Sequence, residues 1–277
     1  MSIVLDQHPS QHGIRVTVRR AASPPAGFRH GGRCSWRVDG GRVEISHDLD
    51  AASISDSTML DGLLPLVDLG VIAGQDMFEE AALGVIRSSA GTARKAWSAF
   101  YDNSIAELKA GTAPFSAIHR HARRLVVGTS VLEVGSCFGF LALQFADDGH
   151  NVHACDISPG AVSLLRTHAF RRKARVNAVV GDATDLPFDD SSVDSVTLIH
   201  LLEHLDDHQA IAALVDALRV ARRRVVVAVP YEENPSAHFG HRVRLTEADL
   251  HRWASSVDHA GARLVDHHGG WLVLAPR

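Results

Sequence analysis

Val131-Leu132-Glu133-Val134-Gly135-Ser136-Cys137-Phe138-Gly139-Phe140 reads as a buried strand that ends in a glycine-bearing turn and runs straight into a helix. Glycine at 135 and 139 lets the backbone turn sharply and lie against a bound ligand, which a side chain there would hold away. Alone, such a turn has low specificity. Its meaning depends on the groups that the chain carries at fixed distances beyond it.

Strands and helices alternate from near residue 125 onward. Strands are expected at 126–135, 152–157, 176–182, 192–200 and 224–230, and helices at 138–147, 159–173 and 205–221. Strands separated by helices need crossover connections, which gives a mainly parallel sheet covered on both faces. The end of the chain differs. Helix 246–257 is followed by strands 262–266 and 271–274, joined by His267-His268-Gly269-Gly270. So short a connection joins antiparallel strands only, so the sheet is parallel except for its last strand.

Residues 1–124 have another texture. Gly13 to Val18 alternates, and 34–38 and 43–45 flank Asp39-Gly40-Gly41, a hairpin signal. Residues 57–125 look helical, with Trp97, Phe100, Tyr101, Ile105 and Leu108 at helical spacing and a hinge at Gly111-Thr112-Ala113-Pro114. The expectation is an N-terminal α+β region, 1–124, covering the substrate side of an α/β domain at 125–277.

Composition excludes several classes. An apolar fraction of 45% and a charged fraction of 22% belong to an ordinary globular protein. A formal charge of −4 gives no reason to expect nucleic acid or a membrane surface as partner. Cys34, Cys137 and Cys155 have no paired spacing, which fits a reducing, cytoplasmic compartment. No leader-like N-terminus and no membrane-length apolar run is evident. The oligomeric state is not legible.

Ligands of open parallel sheets sit at the carboxyl ends of the strands, and four such ends carry suitable groups. The turn Gly135–Gly139 feeds a helix N-terminus whose free N–H groups favour an anion. Asp156 ends the next strand, roughly 20 residues on, where an acid can accept from a ribose diol. Gly181-Asp182-Ala183 could take an adenine amino group. Ile199-His200-Leu201-Leu202-Glu203-His204 forms the exit of the fourth strand.

In the order and spacing of these motifs, over roughly 95–277, the sequence resembles the class I S-adenosylmethionine-dependent methyltransferases, a Rossmann-like α/β family whose seventh strand is antiparallel. The resemblance implies S-adenosylmethionine as cofactor. Glu133, Gly135, Ser136 and Gly139 would lie near its methionine part, Asp156 and Ile157 near the ribose, Asp182 and Ala183 at the adenine, and His200 and Leu201 beside them. Cys137 departs from the family's usual glycine; a small side chain is tolerated there if the backbone is in an ordinary conformation. Residues 135, 137 and 140 (Gly, Cys, Phe) also break the G-x-G-x-x-G/A pattern of a nicotinamide dehydrogenase. A closer resemblance, to the mycofactocin oligosaccharide methyltransferases, rests on Gly135–Phe140, the run 200–204, Arg222 to Glu232 and Phe239 to Arg244. It implies a sugar hydroxyl as acceptor. Another small molecule such as a quinone or lipid, or a non-catalytic cofactor-binding protein, are the alternatives.

His200-x-x-Glu203-His204 also matches the H-x-x-E-H of certain zinc peptidases, which need both histidines on one helix. Here His200 ends an apolar strand, so no metal is expected. His204, with His241 and Glu203, is the expected catalytic set, His204 being the best base because imidazole titrates near neutrality. The bland alternative is that Glu203 and His204 cap the next helix. Loop 231–244 passes over the same rim, and its Glu232, Glu233, His238, His241 and Arg242 could grip sugar hydroxyls. Arg222-Arg223-Arg224 is expected to end a helix, and Asp206-Asp207-His208 to start one.

Overall fold

The computed structural model describes residues 15–277, so Gly13 and Ile14 lie outside the described residues. Its chain divides into two compact units. Among the described residues, one comprises 15–116 together with Ala237–Phe239, and the other Ala117–Ser236 and Gly240–Arg277.

The first unit opens with β1 (Arg15–Arg20), β2 (Arg29–Gly31), β3 (Cys34–Asp39) and β4 (Arg42–His47). The Asp39-Gly40-Gly41 signal marks the β3–β4 hairpin, and β1 lies parallel to β4 at the sheet's other side, giving the order β1-β4-β3-β2. Helices α1 (Asp56–Asp68), α2 (Gly74–Ser88) and α3 (Ala93–Ala110) come next. Ser55 and Thr58 form a capping box on α1, Thr92 caps α3, and Gly111 ends α3 in a left-handed conformation. Trp97, Phe100, Tyr101, Ile105 and Leu108 all face inward, with Phe78 and Met59 among the largest buried side chains beside them. Asn103 Nδ2 donates to the Ile54 carbonyl at 2.7 Å, so this residue fastens the loop before α1. Phe78 packs edge-on against His238 and Phe239 of the returning segment.

The second unit contains α4 (Ser116–Leu125), β5 (Ser130–Val134), α5 (Phe140–Asp147), β6 (Asn151–Asp156), α6 (Pro159–Arg172), β7 (Val176–Val180), β8 (Val193–Ile199), α7 (Asp207–Val220), β9 (Ala221–Val229), α8 (Glu247–Ser256), β10 (Gly261–Asp266) and β11 (Gly270–Ala275). Its seven strands run β10-β11-β9-β8-β5-β6-β7. Pairings from β7 through β9 are parallel, and β11 is antiparallel to both β9 and β10. This is the Rossmann-like methyltransferase sheet expected from the sequence, with the reversed strand inside rather than at an edge. Strands β5, β8 and β9 read as near-continuous apolar runs because helices cover both faces. Leu132, Val134, Val196, Leu198, Val225, Val227, Leu272 and Leu274 form their core with Trp253 of α8.

Two local expectations are corrected. The helix after β5 starts at Phe140 rather than 138, because Gly139 adopts a left-handed conformation and serves as its cap. Arg222, Arg223 and Arg224 do not end a helix; they lie in β9, where Arg222 pairs with Asp194 and Arg224 donates to the Leu125 carbonyl. The apolar face of α7 is used up at Val220, and the chain passes directly into strand. No helix among the described residues is long and apolar enough to cross a membrane.

Candidate functional site

At the carboxyl end of β5 the backbone N–H groups of Gly135 and Ser136 both donate to the Cys155 carbonyl, at 2.8 and 3.1 Å. The turn is thereby pinned against the end of β6. Gly135 has φ +72°, and a Cβ there would stand 2.8 Å from Leu201 Cδ1; Gly139 has φ +71°, and a Cβ would stand 2.4 Å from Leu165 Cδ1. Both glycines are therefore demanded by backbone conformation and by protein neighbours, not only by a ligand's approach. Within this turn Ser136 Oγ is buried with no hydrogen-bond partner among the described residues. A buried hydroxyl without a partner is costly and marks a place where a polar ligand group fits.

Cys137 does not keep an ordinary backbone conformation. Its φ is +48°, in the left-handed region that favours glycine. Its position is stabilised instead by its own N–H, which donates to Asp156 Oδ2 at 2.7 Å. Asp156 Oδ1 accepts from Ser158 N at 2.9 Å. Burial raises the Asp156 pKa, and these two backbone donors oppose the rise. Each oxygen retains a lone pair for a further donor. Beside it Ile157 is 64% exposed, an apolar face directly at the strand end. Glu133 is buried beneath the turn, and desolvation pushes its pKa up to about 8. Asp182 is exposed and accepts from the Thr184 N–H and hydroxyl, both at 2.8 Å, which shapes the turn that carries Ala183.

The exit of β8 gathers the histidines. His200 has φ +54°, and its N–H donates to the Ala228 carbonyl. Leu202–His204 then makes a single 3-10 turn before α7. The cap of α7 is Asp206, in a capping box with Gln209, so Glu203 and His204 do not serve as caps. Glu203 has a side chain only 1% exposed, with His200 Nδ1 3.3 Å and His241 Nε2 3.9 Å from its Oε1. Burial pushes this carboxyl up, but the histidines around it outweigh that and hold it down. His204 Nδ1 meets the Gly240 carbonyl at 3.2 Å, and its ring stands edge-on to that of His241. Burial lowers the His204 pKa to about 4, so the imidazole is neutral at pH 7.

Loop 231–244 delivers His241 to this cluster, and Glu232 anchors it there. Glu232 accepts from His241 Nδ1 at 2.8 Å and from the Ser236 hydroxyl at 2.9 Å. The Arg242 N–H donates to the Glu203 carbonyl. His238 belongs to the other unit and packs there on Phe78. Ligand atoms of Glu203, His204 and His241 all lie within 4.8 Å of one another. The H-x-x-E-H histidines are split between a strand exit and a 3-10 turn, as the sequence implied; His241 joins Glu203 and His204 instead of His200.

His119 on α4 is a buried histidine that no sequence motif singles out. Its side chain is buried, Nδ1 lies 3.2 Å from Gln144 Nε2, and burial, reinforced by the nearby His200, lowers its pKa to about 3. Its signal was available: His119 lies three residues before Ala122 and next to Ile118, on the apolar stripe of a short helix.

Turn, acid and histidine exit thus line one edge of a seven-stranded sheet of this order. Residues 132–229 match the methyltransferase domain model. That segment is similar to methyltransferase domains. Over 103 residues the chain is 40% identical to the demethylmenaquinone methyltransferase of Beutenbergia cavernae, an alignment covering 36% of this chain and 40% of that one. Over 91 residues it is 35% identical to the ubiquinone biosynthesis O-methyltransferase of Xanthomonas oryzae, covering 32% and 38%. The chain thus spans about 40% of the length of the curated relatives it matches. Among solved structures, the PH0226 protein of Pyrococcus horikoshii superposes with a TM-score of 0.51 at 17% identity, over 59% of this chain and 89% of that one, a likeness of fold. The matched segment carries the glycine-bearing turn, Asp156, Asp182 and Glu203-His204; His241 falls outside it.

Proposed function

We propose that this chain is an S-adenosylmethionine-dependent methyltransferase that methylates a hydroxyl of a small polar acceptor. The observation that carries the reading is the arrangement on one strand-end rim: the Gly135–Gly139 turn hydrogen-bonded to Asp156, beside an exit bearing Glu203 and His204. The donor supplies an electrophilic methyl group on a sulfonium. Gly135 and Ser136 fit its methionine part, where the Ser136 hydroxyl lacks a partner. Asp156 accepts from the ribose hydroxyls, Ile157 offers an apolar face to the adenine, and Asp182 and Ala183 close that end. Glu133 supports the turn from below.

An alcohol is a poor acid, so the acceptor must be aligned and must lose its proton as the carbon–oxygen bond forms. His204 is neutral, and its Nε2 bears the lone pair because Nδ1 faces a carbonyl. It takes that proton while Glu203 stabilises the resulting imidazolium. A general base adds about 10²–10⁴-fold. His241, oriented by Glu232, positions the acceptor.

A sugar hydroxyl of a mycofactocin-type glycan is the acceptor suggested by the resemblance of 200–204, 222–232 and 239–244. A quinol is the second reading, favoured by the names of the quinone-pathway relatives. Calorimetry with S-adenosylmethionine, then release of S-adenosylhomocysteine on a panel of glycans and quinols, tests both. No cofactor binding would overturn the enzyme reading, and turnover on one panel alone decides the acceptor.

A further inference from the structure

We propose that Glu203, His204 and His241 form a binding site for one divalent transition-metal ion such as Zn²⁺. Three observations carry it. The first is composition and spacing: two imidazoles and a carboxylate, with ligand atoms within 4.8 Å of one another, match the two-histidine, one-carboxylate sets that hold such ions with positions left open.

The second is the arrangement behind the ligands. Nδ1 of His204 faces the Gly240 carbonyl and Nδ1 of His241 faces the Glu232 carboxylate, both of which only accept. With one proton on the ring, each histidine therefore carries it on Nδ1 and presents the lone pair on Nε2. A carboxylate or carbonyl behind a ligating histidine is the usual device that fixes tautomer and ring orientation for a metal.

The third is a buried carboxylate whose oxygens are not saturated. Neither oxygen of Glu203 has a donor in hydrogen-bond geometry among the described residues, and His204 Nε2 also lacks a partner. His200 Nδ1 lies 3.3 Å from Oε1 and helps to keep the carboxyl ionised, while Oε2 has no hydrogen-bond partner among the described residues. A carboxylate 1% exposed and ionised beside three imidazoles has room on its second oxygen for a cation. With lone pairs of two rings and a carboxylate converging, a cation answers all three at once.

Such an ion would acidify a coordinated hydroxyl so that its proton passes to solvent water near neutrality, in place of His204 acting as base. That role rests on the methyl-transfer reading; ion binding does not. The test uses the full chain stripped with a chelator. Zn²⁺ is titrated by calorimetry and Co²⁺ by its visible absorption, and S-adenosylmethionine binding is measured on the stripped protein. One equivalent of ion is expected, with binding lost in His241→Ala and weakened about 10–100-fold in Glu232→Gln, which removes only the orienting carboxylate. Thermal melts verify that both variants are folded. No binding by the folded native chain, or binding that His241→Ala leaves unchanged, overturns the ion site. S-adenosylmethionine binding would survive that failure. Ion binding without S-adenosylmethionine binding overturns the methyltransferase reading alone.

Discussion

The Cys137 N–H donates to Asp156 Oδ2 at 2.7 Å, so one hydrogen bond joins the turn after β5 to the acid that ends β6. Asp156→Asn replaces one accepting oxygen by an amide that cannot receive both the Cys137 and Ser158 donors. A buried hydrogen bond to a charged group is worth about 1.5–3 kcal/mol. The variant should lose about that much stability in urea unfolding and bind S-adenosylmethionine at least about tenfold more weakly, since one residue serves turn and ligand together. Native affinity in the folded variant would dissociate Asp156 from the cofactor.

Cys137 holds its left-handed φ of +48° at a cost that glycine would not incur. That cost is about 1–2 kcal/mol, and the greater freedom of an unfolded glycine returns about half of it. Cys137→Gly is therefore expected to raise the melting temperature by about 1–3 °C. Cofactor affinity should be kept or improved. A lower melting temperature would mean that thiol packing outweighs backbone strain.

Gly139 illustrates the opposite case. Gly139→Ala adds a Cβ that meets Leu165 Cδ1 at 2.4 Å while keeping φ at +71°. A loss of about 2–4 kcal/mol is expected in chemical denaturation, from strain and overpacking together. Adding Leu165→Ala should recover only the packing part. Full recovery in that double-mutant comparison would show that backbone strain is unimportant here.

Glu133 gives the stability a pH signature. Its pKa is raised by burial from 4.5 to about 8, so between those values the folded chain holds a proton that the unfolded chain has released. This contribution is full below pH 4.5 and is lost as pH rises through 8. Glu133→Gln keeps the shape and cannot ionise. Melting temperatures across pH 5 to 9 should fall less steeply for the variant, by up to about one proton's worth of slope. Parallel curves would mean that Glu133 ionises in the folded chain.

Much of the seven-stranded unit is readable because its strands are buried on both faces and its turns carry glycine or proline. The sequence from Val131 to Gly139 shows a strand, a turn and a helix start without reference to anything distant. The antiparallel β11 followed from the shortness of 267–270 alone. The site was readable where its residues are neighbours in sequence, as Glu203 and His204 are. It was unreadable where geometry depends on a long loop: nothing in the composition of 231–244 separates His241, aimed at Glu203, from His238, packed on Phe78. The left-handed φ of Cys137 was hidden too, since a residue type shows a preference and not the hydrogen bond that overrides it. His119 was concealed by lying on an otherwise ordinary apolar stripe.

The place of β11 inside the sheet has a consequence for synthesis. β10 is made before β11, yet touches the rest of the sheet only through it, its order being β10-β11-β9. Until Gly270–Ala275 has been made, β9 presents an open edge and β10 has no partner strand. The five parallel strands can assemble while the chain is still growing, but the sheet closes only when β11 has been made and seats β10 with it. A ribosome stalled before Gly270 would hold a chain with a bare, aggregation-prone edge at β9.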